Sequence, residues 1–145
     1  MDENQQAFGD QSGFLTAIKN AVVAINTIGT QLGNLVLLYK GESLFRGAAA
    51  IANATLFTVQ TGRQYIVKDI EIVNTSGSAQ TYTLNFVPSG GTALASNALF
   101  SAVSIAANST FQWKGEQVIV VGTTIQGFAS AVTVTFMING GRGSV

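Results

Sequence analysis

Residues Tyr65 to Phe86 read YIVKDIEIVNTSGSAQTYTLNF, two candidate strands around a small polar turn. In the second half Tyr82, Leu84 and Phe86 alternate with Thr81, Thr83 and Asn85. Period-two alternation marks a strand with one buried face. The first half places Ile66, Ile70 and Ile72 on one side, with Lys68 interrupting them. The turn Asn74-Thr75-Ser76-Gly77-Ser78 is built of residues that accept positive φ or bond their own backbone. The stretch therefore reads as a β-hairpin. Its apolar face has to be covered by later strands, so the economical fold is a sandwich or barrel.

Those strands follow. Leu56–Val59 precedes the hairpin. Val87-Pro88-Ser89-Gly90-Gly91-Thr92 breaks the sheet, because proline lacks a ladder donor and the glycines turn the chain. Residues 93–99 read as a helical turn or a loop. Phe100–Ile105, Ser109–Lys114, the short run Gln117–Val121 and Thr123–Ala129 come next. In the last strand Val132, Val134, Phe136 and Ile138 oppose Thr133, Thr135 and Met137. Short strands at this regular spacing predict a mainly β chain, an antiparallel β-sandwich of jelly-roll type, over residues 55–139. The glycine-rich tail 140–145 is expected to hold no regular structure, and the pairs Gly90-Gly91 and Gly140-Gly141 read as turn glycines.

Upstream, the period changes. With Ile18 at heptad position a, the a and d positions are Phe14, Ile18, Ala21, Ile25, Ile28, Leu32 and Leu35. Leu15, Val22 and Val36 form an e flank that Gly29 breaks. This predicts a helix over 12–39, capped by Asp10 or Ser12. Gly29 and Gly33 each weaken it by about 1 kcal/mol relative to alanine. A short helix is marginal alone in water, so the stripe must pack on something. Two partners stand open: copies of itself, where isoleucine at a and d favours three or more helices, or its own β-domain, as a lid. Residues 1–11 read as a flexible arm and 40–54 as a connector.

Composition narrows the function. Of the 145 residues only 10% are charged, against about 25% in an average soluble domain. Such a neutral surface suits a protein packed against copies of itself or other proteins. Net charge is zero, and Lys19, Lys40, Arg46, Arg63, Lys68, Lys114 and Arg142 are scattered, which argues against nucleic-acid binding. An apolar run such as Leu35–Tyr39 is far too short to span a bilayer. The acidic start MDENQQ is unlike a signal peptide, which fits synthesis in a cytoplasm.

The chain contains neither histidine nor cysteine, so it lacks the commonest general base, the commonest metal ligands and any disulfide. No catalytic, metal or cofactor site is expected. Asp69 and Glu71 form a close pair of acids on one face of a strand. They read as solvent-facing charges rather than a glycosidase or calcium pair. Trp113, Tyr65 and Tyr82 have the chemistry to stack on a sugar, but at period two they read as core aromatics.

From Thr55 onward the order of turns resembles a small β-sandwich domain found in virion structural proteins of tailed bacteriophages. The residues that carry this resemblance are Asn74-Thr75-Ser76, Ala107-Asn108-Ser109-Thr110, Gly122 and Ile125, followed by a closing Val-Thr-Val strand. The resemblance covers about residues 55–139. It implies a capsid decoration (cement) or head-fibre protein located on the virion, commonly a homotrimer behind an N-terminal helix. Phe14, Ile18, Ile25, Ile28, Leu32 and Leu35 would make the trimer contact here, and the partner would be the major capsid protein or another virion protein. A tail-fibre or receptor/glycan-binding module is the alternative.

Overall fold

The structure, a computed structural model, describes residues 13–29 and 40–144. They fall into two units, divided between Leu37 and Leu38. The first holds a helix, α1, over 13–29. The second holds β1 (Lys40–Ala48), β2 (Ala54–Thr58), β3 (Arg63–Asn74), β4 (Gln80–Val87), β5 (Ala98–Ile105), β6 (Ser109–Ile119), β7 (Thr124–Ala129) and β8 (Val134–Ser144), with a 3₁₀ turn at Ala95–Asn97.

The strands form two four-stranded sheets, ordered β1-β8-β3-β6 and β2-β7-β4-β5, with every pairing antiparallel. Pairing is nested: β4 with β5, β3 with β6, β2 with β7, β1 with β8. A folded-back ribbon rolled in this way is a jelly roll, the double-sheet answer to unpaired edges. The sandwich expected from the sequence is present.

The expected hairpin is not. β3 and β4 lie in different sheets, so Thr75–Ala79 arches across the sandwich. The reason is in the turn. Asn74, 1% exposed, donates from Nδ2 to the carbonyls of Ser78 (2.8 Å), Ala106 (2.9 Å) and Ile105 (3.4 Å). Its Oδ1 accepts from the Ser76 N–H (3.0 Å) and hydroxyl (2.8 Å). The Thr75 N–H reaches the Thr133 carbonyl at 3.2 Å, and the Asn108 N–H reaches Ser76 at 3.0 Å. The arch is tied to two other turns, and its backbone groups are satisfied without β3 and β4 pairing.

Lys68 is explained by a β-bulge. The register of β3 slips between Val67 and Asp69 against both neighbours. One extra residue switches the inward set from Tyr65 and Val67 to Ile70, Ile72 and Asn74. Ile66 therefore lies on the outer face, half-buried, and not with Ile70 and Ile72 as the alternation suggested. Lys68 stands exposed at the bulge, 3.3 Å from Glu116, a pair too exposed to contribute much stability.

Three boundary expectations are corrected. Residues 40–48, read as connector, form edge strand β1 against β8. The crossing to β2 is fixed by the Ala49 N–H on Val134 (2.7 Å) and the Ala129 N–H on Ala50 (2.9 Å). The tail is also in the sheet: Gly140 to Ser144 pair with Val67 to Arg63. Gly140 is a strand glycine, because a Cβ there would meet the Ile66 carbonyl oxygen at 2.3 Å. Gly90, with φ +72°, is the turn glycine the sequence suggested. Ser109–Lys114 and Gln117–Val121, read apart, merge through Ile119 into β6.

The core lies between the sheets. Val67, Ile70, Ile72, Leu84, Ile125, Val134, Phe136 and Ile138 are fully buried. Tyr82 staples the layers: its ring meets Phe100 of its own sheet at 5.6 Å and Phe111 and Phe136 of the other at 6.0 and 6.4 Å. The contacts with Phe100 and Phe136 are edge-to-face, and such packing adds to the area each ring buries.

Candidate functional site

Helix α1 carries the residues expected to make an oligomer contact. Phe14, Ile18, Ile25 and Ile28 are 67%, 45%, 66% and 54% exposed. Leu32 and Leu35, with the arm at 1–11 and the caps Asp10 and Ser12, lie outside the described residues. At 3.6 residues per turn, positions 14, 18, 21, 25 and 28 form one stripe. Leu15 and Val22 widen it, and both are exposed. Lys19 is the one charge between 13 and 29. The opposite side carries Lys19, Asn20, Asn26 and Thr27 around an exposed Val23, and Thr27 donates its hydroxyl to the Val23 carbonyl at 2.9 Å. A face with this much aliphatic surface and no acid offers apolar burial rather than charge pairing to whatever covers it.

The other sequence candidates belong to the β-domain. Asp69 accepts from Gln112 Nε2 at 2.9 Å and from Asn139 Nδ2 at 3.4 Å. That is a solvent-face network at neighbouring register positions on β3, β6 and β8. The described residues contain no cluster of acids fit to hold a metal. Tyr65 and Tyr82 are 5% and 1% exposed, which removes both as sugar platforms. Trp113 is half-buried and lies over Gly115, where a Cβ would meet the indole at 2.3 Å. No described helix is long and apolar enough to cross a membrane.

One feature escaped the sequence. On β5 the register slips opposite Thr83, and Ala102 sits at φ +49°, a left-handed conformation alanine rarely adopts. Its N–H is held by Thr83 Oγ1 at 3.0 Å. Ala102 lines an open depression of about 390 Å³ together with Asn53, Thr83, Leu94, Ser101 and Phe128. Nothing in the run ALFSAVSI marks the bulge, because alanine is not a residue that signals positive φ.

No known family model matches the chain, and no curated protein does. Among solved structures it is similar to a pilus protein of Bacillus endospore appendages, at 15% identity and TM-score 0.47, covering 73% of this chain and 88% of that one. It is similar to the core of Drosophila NLP at 11% identity and TM-score 0.41, covering 70% and 98%. A third is the virus-like particle of Macrobrachium rosenbergii extra small virus, at 10% identity and TM-score 0.37, covering 73% and 80%. Identities and scores of this size say nothing about what the chain does. The class that the strand order defines is the eight-stranded jelly roll.

Proposed function

We propose that the chain is a non-enzymatic structural protein of a virion, a capsid decoration or head-fibre protein of the tailed-phage kind. In this reading α1 assembles three copies through Phe14, Ile18, Ile25 and Ile28, with Leu32 and Leu35 continuing the seam. The jelly rolls are held against the shell. The observation that carries it is the exposed aliphatic stripe on α1, attached in sequence to a domain poor in charge. The jelly roll recurs in viral capsid and lectin domains, which supports the reading by fold-level analogy. The resemblance of the turn residues to those of phage virion proteins supports the same reading.

Light scattering on the full chain tests the assembly. The expected mass is three times that of the chain, falling to one chain in Ile18→Asp/Ile25→Asp with the β-sheet circular dichroism intact. A wild-type monomer overturns the trimer. Particles carrying the protein test the attachment. A hold made by apolar burial survives high salt, whereas one made by exposed charges is screened. Release at moderate salt overturns the mechanism.

A further inference from the structure

The depression on the outer face of the β2-β7-β4-β5 sheet has the features of a built site. Its floor is the register pair Thr83 and Phe128, with Phe128 half-buried. One wall is the segment 92–98, and that wall is locked. Asn85, 3% exposed, donates to the Leu94 carbonyl and to Asn97 Oδ1, both at 2.9 Å. Asn97 Oδ1 also accepts from the Leu94 N–H at 3.0 Å, and Asn97 Nδ2 donates to the Thr92 carbonyl at 2.9 Å. The bulge at Ser101-Ala102, with Ala102 at φ +49°, also lines the depression. Strain and bulges concentrate where a side chain is re-aimed for use.

The hydrogen-bonding inventory at this site is specific. Asn53 Nδ2 donates to Gln126 Oε1 at 2.7 Å, which fixes the amide and leaves Oδ1 as an acceptor. Thr83 Oγ1 accepts the Ala102 N–H, so its own proton is available to donate. The Ser101 hydroxyl offers both a donor and an acceptor. Among the described residues no charged side chain lines the depression, and Leu94 and Phe128 supply apolar surface. The volume falls at the small end of ligand sites.

A neutral molecule with many hydroxyls and an apolar ring face matches this set. An anion or cation finds no counter-charge, and a purely apolar ligand would leave the amide and hydroxyls unpaired. We propose that the depression binds a neutral saccharide, with Asn53 and Ser101 pairing with its hydroxyls and Phe128 packing against its C–H face. The proposal stands whether or not the protein forms trimers, since every residue it uses comes from one β-domain.

Saturation-transfer NMR on the full chain tests it, with maltotriose, N,N′-diacetylchitobiose and lactose as neutral probes and sialyllactose as the charged one. Transfer to the ring protons of at least one neutral probe is expected. Amide shifts in the protein should centre on Thr83, Ser101, Ala102 and Phe128. The exposed-site variant Asn53→Ala/Ser101→Val should weaken binding by about tenfold or more at an unchanged melting temperature, as expected for two lost hydrogen bonds. Silence from all three neutral probes overturns the proposal. So does stronger transfer to sialyllactose, or amide shifts located elsewhere on the domain, a readout that does not depend on the variant folding.

Discussion

Asn74 donates to the Ala106 carbonyl at 2.9 Å, tying the arch that leaves β3 to the turn that enters β6. A single buried side chain thus makes two corners of the jelly roll interdependent. It also explains why Asn74-Thr75-Ser76 and Ala107-Asn108-Ser109-Thr110 are informative as a pair, since Asn108 donates back to Ser76 at 3.0 Å.

Removing that side chain should be costly. Asn74→Ala strips donors from the carbonyls of Ser78, Ile105 and Ala106, which then lie near or within the core with fewer partners. An unsatisfied buried polar group costs about 1–3 kcal/mol, and more than one is orphaned here. The expected loss is about 3 kcal/mol by urea denaturation. Asn74→Asp should be worse at neutral pH, because a carboxylate would face the same carbonyl oxygens. Equal stability of Asp and wild type would show that the donor role is not what holds the arch.

Gly140 and Gly41 make a matched test of the edge. Gly140 opposes Val67 in the register, and a Cβ there meets the Ile66 carbonyl oxygen at 2.3 Å, a backbone atom unable to swing aside. Gly140→Ala should destabilise by about 2–3 kcal/mol, in the manner of overpacking. Around Gly41 nothing lies within 4 Å of the corresponding Cβ. Gly41→Ala should stay within about 0.5 kcal/mol of wild type, as an open surface substitution does. Equal melting curves for the two variants would mean that the chain end is not in the sheet.

The parts of the fold legible in the sequence were those written in local alternation. β4 and β8 show it plainly, and Val134, Phe136 and Ile138 are buried where it puts them, whereas Val132, read with them, precedes the strand and is exposed. What misled was non-local. A polar five-residue turn looks alike whether it closes a hairpin or bridges two sheets, and only the partners of Asn74 decide. Lys68 broke the alternation because it is a bulge, and a one-residue insertion reverses every face call beyond it. The alternation of β1 is broken by a register slip between Ser43 and Phe45, and the glycine-rich end of β8 carries too few side chains for a period to show. The stripe on α1 was legible through its heptads. The depression was not, because its lining comes from separate segments of the chain and its strained residue is an ordinary alanine.

Tyr82 carries a testable liability. Its ring is fully buried, but its hydroxyl has no hydrogen-bond partner. Burial pushes its pKa above the ordinary 10.0. A phenol whose folded pKa is raised keeps its proton in the fold while the unfolded chain ionises. Stability is therefore unaffected below about pH 10 and falls as pH rises above it, by at most about 1.4 kcal/mol per pH unit. Tyr82→Phe removes the unpaired hydroxyl while keeping the ring contacts. It should be neutral to stabilising by about 1 kcal/mol at pH 7, and its alkaline loss should be shallower. Denaturation at pH 7 and pH 10.5 measures both, and parallel alkaline losses would place the titrating group elsewhere.

Ala102 separates strain from packing. At φ +49° its Cβ crowds its own backbone, an arrangement that costs alanine about 1 kcal/mol or more. Glycine adopts the same φ without that cost, although it also gives the unfolded chain more freedom. Ala102→Gly should therefore raise stability slightly, by about 0.5–1 kcal/mol. Ala102→Val should lower it by about 2 kcal/mol, because a β-branched side chain is a genuine outlier at positive φ. Thermal melting orders the series Gly, Ala, Val. The opposite order would mean that the strand is regular at this position, with no bulge opposite Thr83. The Ala102 N–H would then no longer be bound to the Thr83 hydroxyl, and the depression would lose its strained residue.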